Sequence, residues 1–272
     1  FRMVFILFLL AVAVNGVEIG DDIKFDLELV KHQPCAYSRG KSKWSRKLEF
    51  ESGNGFSGPK LESLPGRPGC YAIGGHVNVL QEFAGNFSIY LEIRQTAAKK
   101  NVPEDCARQD EDGCGGVGSC LYCDACSTFG DRLGVQAQLQ LNGKSISCQE
   151  GLHPGSYDDL KLVFCMPNMD DLLETQGLTK ESLAQLLGSE SGGHHRSLGL
   201  FITAYVFDTD VRRQMAAQKR VVSTYRDNKK TFFKDEPLPS DVYWSLPFNA
   251  VIKKQQAFVA CHKIYGNIAI SF

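Results

Sequence analysis

Apolar and polar residues alternate one by one along much of this chain. Ile23, Phe25, Leu27 and Leu29 share one phase, and Lys24, Asp26 and Glu28 take the other. A period of two belongs to a strand with one buried face. The same pattern returns at Val77 and Val79, then at Phe87, Ile89, Leu91 and Ile93. The Gly85-Asn86 break between these runs reads as a hairpin. In the second run Ser88, Tyr90, Glu92 and Arg94 take the solvent phase. Val135, Ala137, Leu139 and Leu141 alternate with glutamines up to Asn142-Gly143, a pair suited to a two-residue turn because both residues accept positive φ. Further strands are expected around Leu160–Phe164, Leu200–Phe207 and Phe258–Phe272. One-sided alternation predicts antiparallel sheets with one wet face, not a buried parallel sheet. The expected fold is mainly β: an antiparallel two-sheet sandwich or β-cup with one or two helical insertions.

Helical spacing is confined to two segments. Met169–Leu187 carries Leu172, Leu173, Leu183, Leu186 and Leu187, with acidic residues at its start that suit the positive end of a helix dipole. Gly177 splits it, and Thr179 is a candidate N-cap for the second piece. Val211–Arg226 reads as a basic helix, although Val221, Val222 and Thr224 leave a strand open. Ser189–Arg196, rich in serine, glycine and histidine, reads as an exposed linker.

The N-terminal run Met3–Val14 changes the picture of where the protein works. Arg2 precedes it, and the small residues Ala11, Ala13 and Gly16 stand near its exit. This describes a secretory signal peptide over residues 1–16, too short for a span of roughly 20 apolar residues. A retained anchor is the alternative. Residues 17–272 are then read as a single extracellular β-rich domain with insertions near 169–197 and 211–252. Hydrophobic residues make up 43% and charged residues 22% of the chain, a globular balance. A net charge of −1 gives no broad field to attract nucleic acid or an anionic membrane. No later apolar run reaches spanning length, so no transmembrane span is expected and the mature protein is read as secreted or lumenal.

Ten cysteines follow the leader. Cys120-Leu-Tyr-Cys123-Asp-Ala-Cys126 has a spacing that would suit zinc or an iron–sulfur cluster in a reducing compartment. Behind a signal peptide the same spacing points to disulfides, and all ten cysteines are expected to be oxidised. No metal or cofactor is expected. Gly113-Cys-Gly115-Gly-Val-Gly118 matches the dinucleotide-binding letters, but no strand feeds it and no helix pattern follows, so it reads as a disulfide-bearing loop. The six histidines form no zinc-protease motif, and there is neither a nucleophile elbow nor a phosphate-binding loop. Catalytic triads are recognised by geometry, not spacing, so the sequence names no catalytic residue. Asn86-Phe87-Ser88 is a glycosylation sequon, and Asn86 is expected to carry a glycan.

Gly118-Ser-Cys120-Leu-Tyr-Cys123-Asp-Ala-Cys126, Cys148-Gln-Glu-Gly151, Pro154-Gly-Ser-Tyr157, Leu162-Val-Phe-Cys-Met-Pro167 and Ala260-Cys261-His-Lys-Ile264 follow one another in a characteristic order. That order resembles the GM2-activator branch of the MD-2-related lipid-recognition family. The resemblance covers only part of the chain, the two insertions lengthen it, and Cys70, Cys106 and Cys165 have no family counterpart. It implies a β-cup whose sheets do not close fully and whose interior takes a lipid tail. It also implies a Cys35–Cys261 bridge between the first strand region and the last strand. Cys126–Cys148 and Cys114–Cys120 are the next pairings expected. Leu172, Leu173, Leu183 and Leu186 then become candidates for a lid that faces the lipid. Periodicity alone does not distinguish a filled core from a filled pocket. A lipid-binding or lipid-transfer protein therefore stands beside an extracellular protein-binding or adhesion module with a filled core, and a secreted hydrolase comes third.

Overall fold

A computed structural model of the chain describes residues 15–19, 23–35, 46–51, 60–65, 70–94, 102–103, 105–106, 109–116, 119–125, 136–147, 150–165, 195–229, 238–255 and 257–271. Among these residues, two antiparallel sheets of six strands each make up the mainly β fold. Sheet I runs, in spatial order, β1 (Asn15–Ile19), β2 (Ile23–Pro34), β12 (Ala260–Ser271), β11 (His195–Phe207), β6 (Ser88–Arg94) and β7 (Leu121–Tyr122). Sheet II runs β3 (Leu48–Phe50), β5 (Cys70–Val79), β10 (Gly155–Cys165), β8 (Gln136–Leu141) and β9 (Lys144–Ser145), with β4 (Lys60–Ser63) also paired to β5.

Local chemistry accounts for the turns. Asn142 and Gly143 adopt φ of 51° and 73° and place Leu141 opposite Lys144, the expected two-residue hairpin. The hairpin expected at Gly85-Asn86 is not formed, because β5 and β6 belong to different sheets. The chain between them crosses the sandwich. Phe83 pairs its backbone with Leu152 and buries its ring, and Gly85 then turns with φ of 86°. Two phenylalanines in the link, in contact at 5.1 Å, gain more by entering the core than an exposed turn offers them.

Between the sheets lies a core of Leu48, Val77, Val79 and Leu160 from sheet II against Val259 and Ala260 from the sheet I side, plugged by Phe83 and Leu152. The opposite face of sheet I is not wet, as the alternation predicted, but covered by helices. These are α1 (Arg212–Lys229), α2 (Ser240–Ser245), α3 (Pro247–Ala250) and a π-helical turn at Val251–Gln255. Phe248 stacks its edge on Tyr90 at 4.9 Å and meets Phe207 at 5.7 Å, all three fully buried or nearly so. Ser88, Tyr90 and Glu92 are therefore buried, which corrects their assignment to the solvent phase. The reason lies in β11, whose Ile202-Ala204-Val206 and Phe201-Tyr205-Phe207 sets make it apolar on both faces.

The segment from Val211 resolves to helix. Its first turn is capped by Asp210 Oδ1, which accepts from the Arg212 N–H at 3.0 Å, and Val211 and Met215 bury one face. Its basic residues grip the cysteine-rich loop: Arg212 pairs with Asp124 at 2.6 Å, Lys219 Nζ donates to the Gln109 and Asp110 carbonyls, and Arg226 pairs with Asp105. Gly113 lies against that helix with φ of 86°, and a Cβ there would stand 2.8 Å from the Ala216 nitrogen. This close approach explains the first glycine of the dinucleotide-like motif without a nucleotide. The end of the expected linker is also strand, since His195 and Arg196 pair with Ser271 and Ile270 in β11.

Candidate functional site

Register fixes which residues of sheet I face sheet II. Val206 is opposite Ala260 and Ile89, and Ala260 belongs to the inter-sheet core, so this phase points inward. Stepping by two along the strands, the same face carries Ala204, His262 and Leu91, then Ile202, Ile264 and Ile93. At the core end Ala260 and Val77 are almost wholly buried. Further along, Leu91, Ala204, Ile202 and Ile264 are only half-buried, whereas Ile93 on the β6 side is buried. β11 and β12 are interior strands of the sheet, and in a filled sandwich inner residues of such strands are shut off from solvent. This part of the face is an incompletely covered apolar surface.

A buried polar pair marks the border between the closed and the half-open parts. His32 on β2 and His262 on β12 are diagonal neighbours, with His32 Nδ1 3.0 Å from His262 Nε2. The rings lie 5.1 Å apart, and Phe50 of sheet II approaches His262 edge-on at 5.4 Å. Burial pushes the His32 pKa down; burial, and then the neighbouring His32, push that of His262 down to about 4. Both rings are neutral at neutral pH. Only one proton occupies the shared contact, so one ring donates and the other accepts. The remaining nitrogens, His32 Nε2 and His262 Nδ1, are buried without a partner, and tautomer logic makes one an N–H donor and the other a lone-pair acceptor.

A second buried polar group lies under the helices on the other face. Glu92 takes Arg94 at 2.6 Å, and Trp244 packs between Lys253 Nζ, 2.7 Å from its ring centre, and Arg94, 5.4 Å away. Tyr90 and Tyr243 bring their hydroxyls to 3.5 Å, and burial holds both phenols protonated by raising their pKa. These groups satisfy one another and anchor the helical layer.

Of the residues singled out from the sequence, Cys35 and Cys261 form the expected bridge, with Cα atoms 5.4 Å apart beside the histidine pair. The Cys114–Cys120 pairing is corrected: Cys106 bonds Cys120 and Cys114 bonds Cys123. β7 lies between Cys120 and Cys123 and pairs with β6, which presents each cysteine to a different partner across the loop. Asn86 is exposed immediately before β6. Cys126, Cys148 and the lid candidates Leu172, Leu173, Leu183 and Leu186 lie outside the described residues. Among the described residues no three His, Cys, Asp or Glu side chains come together to hold a metal ion. No described helix is long and apolar enough to cross a membrane.

The histidine pair was missed from the sequence. His262 sits in the apolar phase of Phe258, Ala260 and Ile264, which was a readable signal. His32 was hidden because a register shift opposite Tyr265/Gly266 changes the phase of β2 after Leu29.

No protein-family model matches the chain, and no curated protein matches it in sequence.

Proposed function

We propose that this is a secreted, disulfide-stabilised lipid-binding or lipid-transfer protein that holds an acyl chain between its two sheets. The observation that carries the reading is the half-buried apolar stretch Leu91, Ala204, Ile202 and Ile264 on interior strands, continuous with a closed core at one end. An acyl chain laid along it gains roughly 0.8 kcal/mol per methylene removed from water, so a dozen carbons offset the usual cost of association. The resemblance to the GM2-activator branch of the lipid-recognition family supports the same geometry, and the disulfides suit an oxidising compartment. The neutral histidine pair closes the polar edge of the core and does not contribute charge to the apolar space.

The test is native mass spectrometry, together with an organic extract, of protein secreted from eukaryotic cells. One lipid per chain, lost on extraction and regained from fatty-acid micelles, is the expected result. Protein that leaves the cells with no stoichiometric lipid and takes up none overturns the reading in favour of an extracellular protein-binding module.

A further inference from the structure

On the face of sheet II turned away from sheet I, three side chains from two strands form a hydrogen-bonded chain. His76 of β5 has its Nε2 3.0 Å from Ser156 Oγ and its Nδ1 2.6 Å from Asp158 Oδ1, both on β10. The register of β5 and β10 brings the three together. Ser156 is opposite Asn78 and Tyr157 opposite Val77, but the next pair is Leu160 with Gly75. Asp158 and Asp159 therefore stand against His76 alone, a bulge of two residues against one. Alternation places Asp158 on the face that carries Ser156 and His76, and the extra residue shifts the phase beyond it, so that Leu160 faces the core as Tyr157 does. Buried Val77 and Leu160 pin the strands on either side of it.

We propose that Ser156, His76 and Asp158 form an acyl-transfer site of the serine-nucleophile kind, acting on small uncharged esters. This inference is independent of lipid binding between the sheets, which concerns the other face of sheet II. Ser156 is exposed, so an ester carbonyl reaches Oγ directly. Asp158 on the same face and Glu51, which acts on His76 through its charge, disfavour anionic substrates.

In the first step Ser156 Oγ bonds to the carbonyl carbon while His76 Nε2 takes its proton. The carbon–alkoxy bond then breaks, and the imidazolium returns the proton to the departing alcohol. Water attacks the acyl-serine with the same base, releasing the acid and restoring the hydroxyl, so no oxidant or further co-reactant is needed. Asp158 is a positioning residue: it accepts from Nδ1–H and so leaves Nε2 free to act as base. Its hydrogen bond, chiefly, holds the His76 pKa above the usual histidine value. Asn78 completes the group, its Oδ1 accepting from the Ser156 hydroxyl at 2.8 Å. For the reaction that hydroxyl turns from Asn78 to His76 Nε2.

The experiment treats the full secreted chain with a fluorophosphonate probe, which phosphonylates an activated serine with loss of fluoride, and with p-nitrophenyl acetate. Label mapped to Ser156 by peptide analysis, abolished by Ser156→Ala and slowed about 100-fold or more by His76→Gln, is the expected result. Asp158→Asn should slow labelling and also move the midpoint of its pH profile downward, which a merely structural role does not do. All three side chains lie at the surface, so circular dichroism of the variants should match the parent chain. Absence of label on Ser156 at alkaline pH, or equal labelling in His76→Gln, reduces the group to a surface hydrogen-bond ladder and overturns the proposal.

Discussion

His32 Nδ1 and His262 Nε2 meet at 3.0 Å although the two residues are 230 apart in the chain. Their contact joins β2 to β12 three residues from Cys35 and one from Cys261, whose disulfide ties the same strands. Each ring keeps a second nitrogen buried without a partner. An unsatisfied buried polar group costs about 1–3 kcal/mol, so the pair is a local liability that the surrounding core tolerates.

Stability should fall as the pH drops toward 4. An unfolded histidine titrates near 6.5, whereas burial lowers both folded values, that of His262 to about 4. Between these limits the unfolded chain binds more protons than the folded one, so stability rises with pH across the window and is lost on acidification. His262 alone accounts for a loss on the order of 3 kcal/mol by pH 4. Urea unfolding at several pH values measures it. The double substitution His32→Leu/His262→Leu should flatten the slope, and an unchanged slope would disprove the assignment.

Peptide mapping under non-reducing conditions should find Cys35–Cys261, Cys106–Cys120 and Cys114–Cys123. Backbone register also sets Cys70 directly opposite Cys165 on β5 and β10. Directly opposed positions on antiparallel strands are within reach of a disulfide, their Cα atoms being about 4.5–5.5 Å apart. A Cys70–Cys165 bridge is therefore expected, and Cys126–Cys148 is the pair that remains. Free thiols at Cys126 and Cys148 would refute the fully oxidised state.

What the sequence disclosed and what it hid divide along one physical line. Alternation located β6 and β8 because one phase of each is wholly apolar, and it located β2 through Ile23–Leu29 and β12 through a phase that only His262 interrupts. Asn142-Gly143 announced its hairpin because its φ values are set locally. The helical cover of sheet I was hidden because Ser88, Tyr90 and Glu92 are polar by type yet buried by tertiary contact. The near-continuous apolar run from Leu198 to Phe207 was the signal that both faces of β11 are covered. The Ser156–His76–Asp158 chain joins strands whose partners lie 80 and 82 residues apart, so only the folded register reveals it.

Phe248 should be the keystone of the helical layer. It is fully buried and touches the rings of Tyr90 and Phe207. Phe248→Ala should cost about 3–5 kcal/mol by denaturant unfolding. A loss below 1 kcal/mol would mean that the layer docks through its ion pairs and not through this ring.

Asn86 is exposed ahead of β6, and its sequon hydroxyl, Ser88, is buried once the strand has formed. A glycan is expected at Asn86, and it would have to be added before β6 closes. Glycosidase treatment of secreted protein should raise its gel mobility, and unchanged mobility would refute the modification.

Ala204 offers the sharpest discrimination between a held lipid and a filled core. It lies on an interior strand, half-buried, opposite His262 on one side and Leu91 on the other. Its methyl group points toward sheet II. In a filled sandwich, Ala204→Trp forces an extra ring into occupied space and should cost about 1–3 kcal/mol. In a lipid-holding cup the indole instead occupies part of the volume left for the acyl chain. The delipidated variant should then melt within a few degrees of the delipidated parent, while lipid retained per chain falls severalfold. Both quantities come from one preparation, by calorimetry and by mass spectrometry of the extract. A large drop in melting temperature with lipid content unchanged would place Ala204 in a packed core and remove the main support for lipid binding at this face.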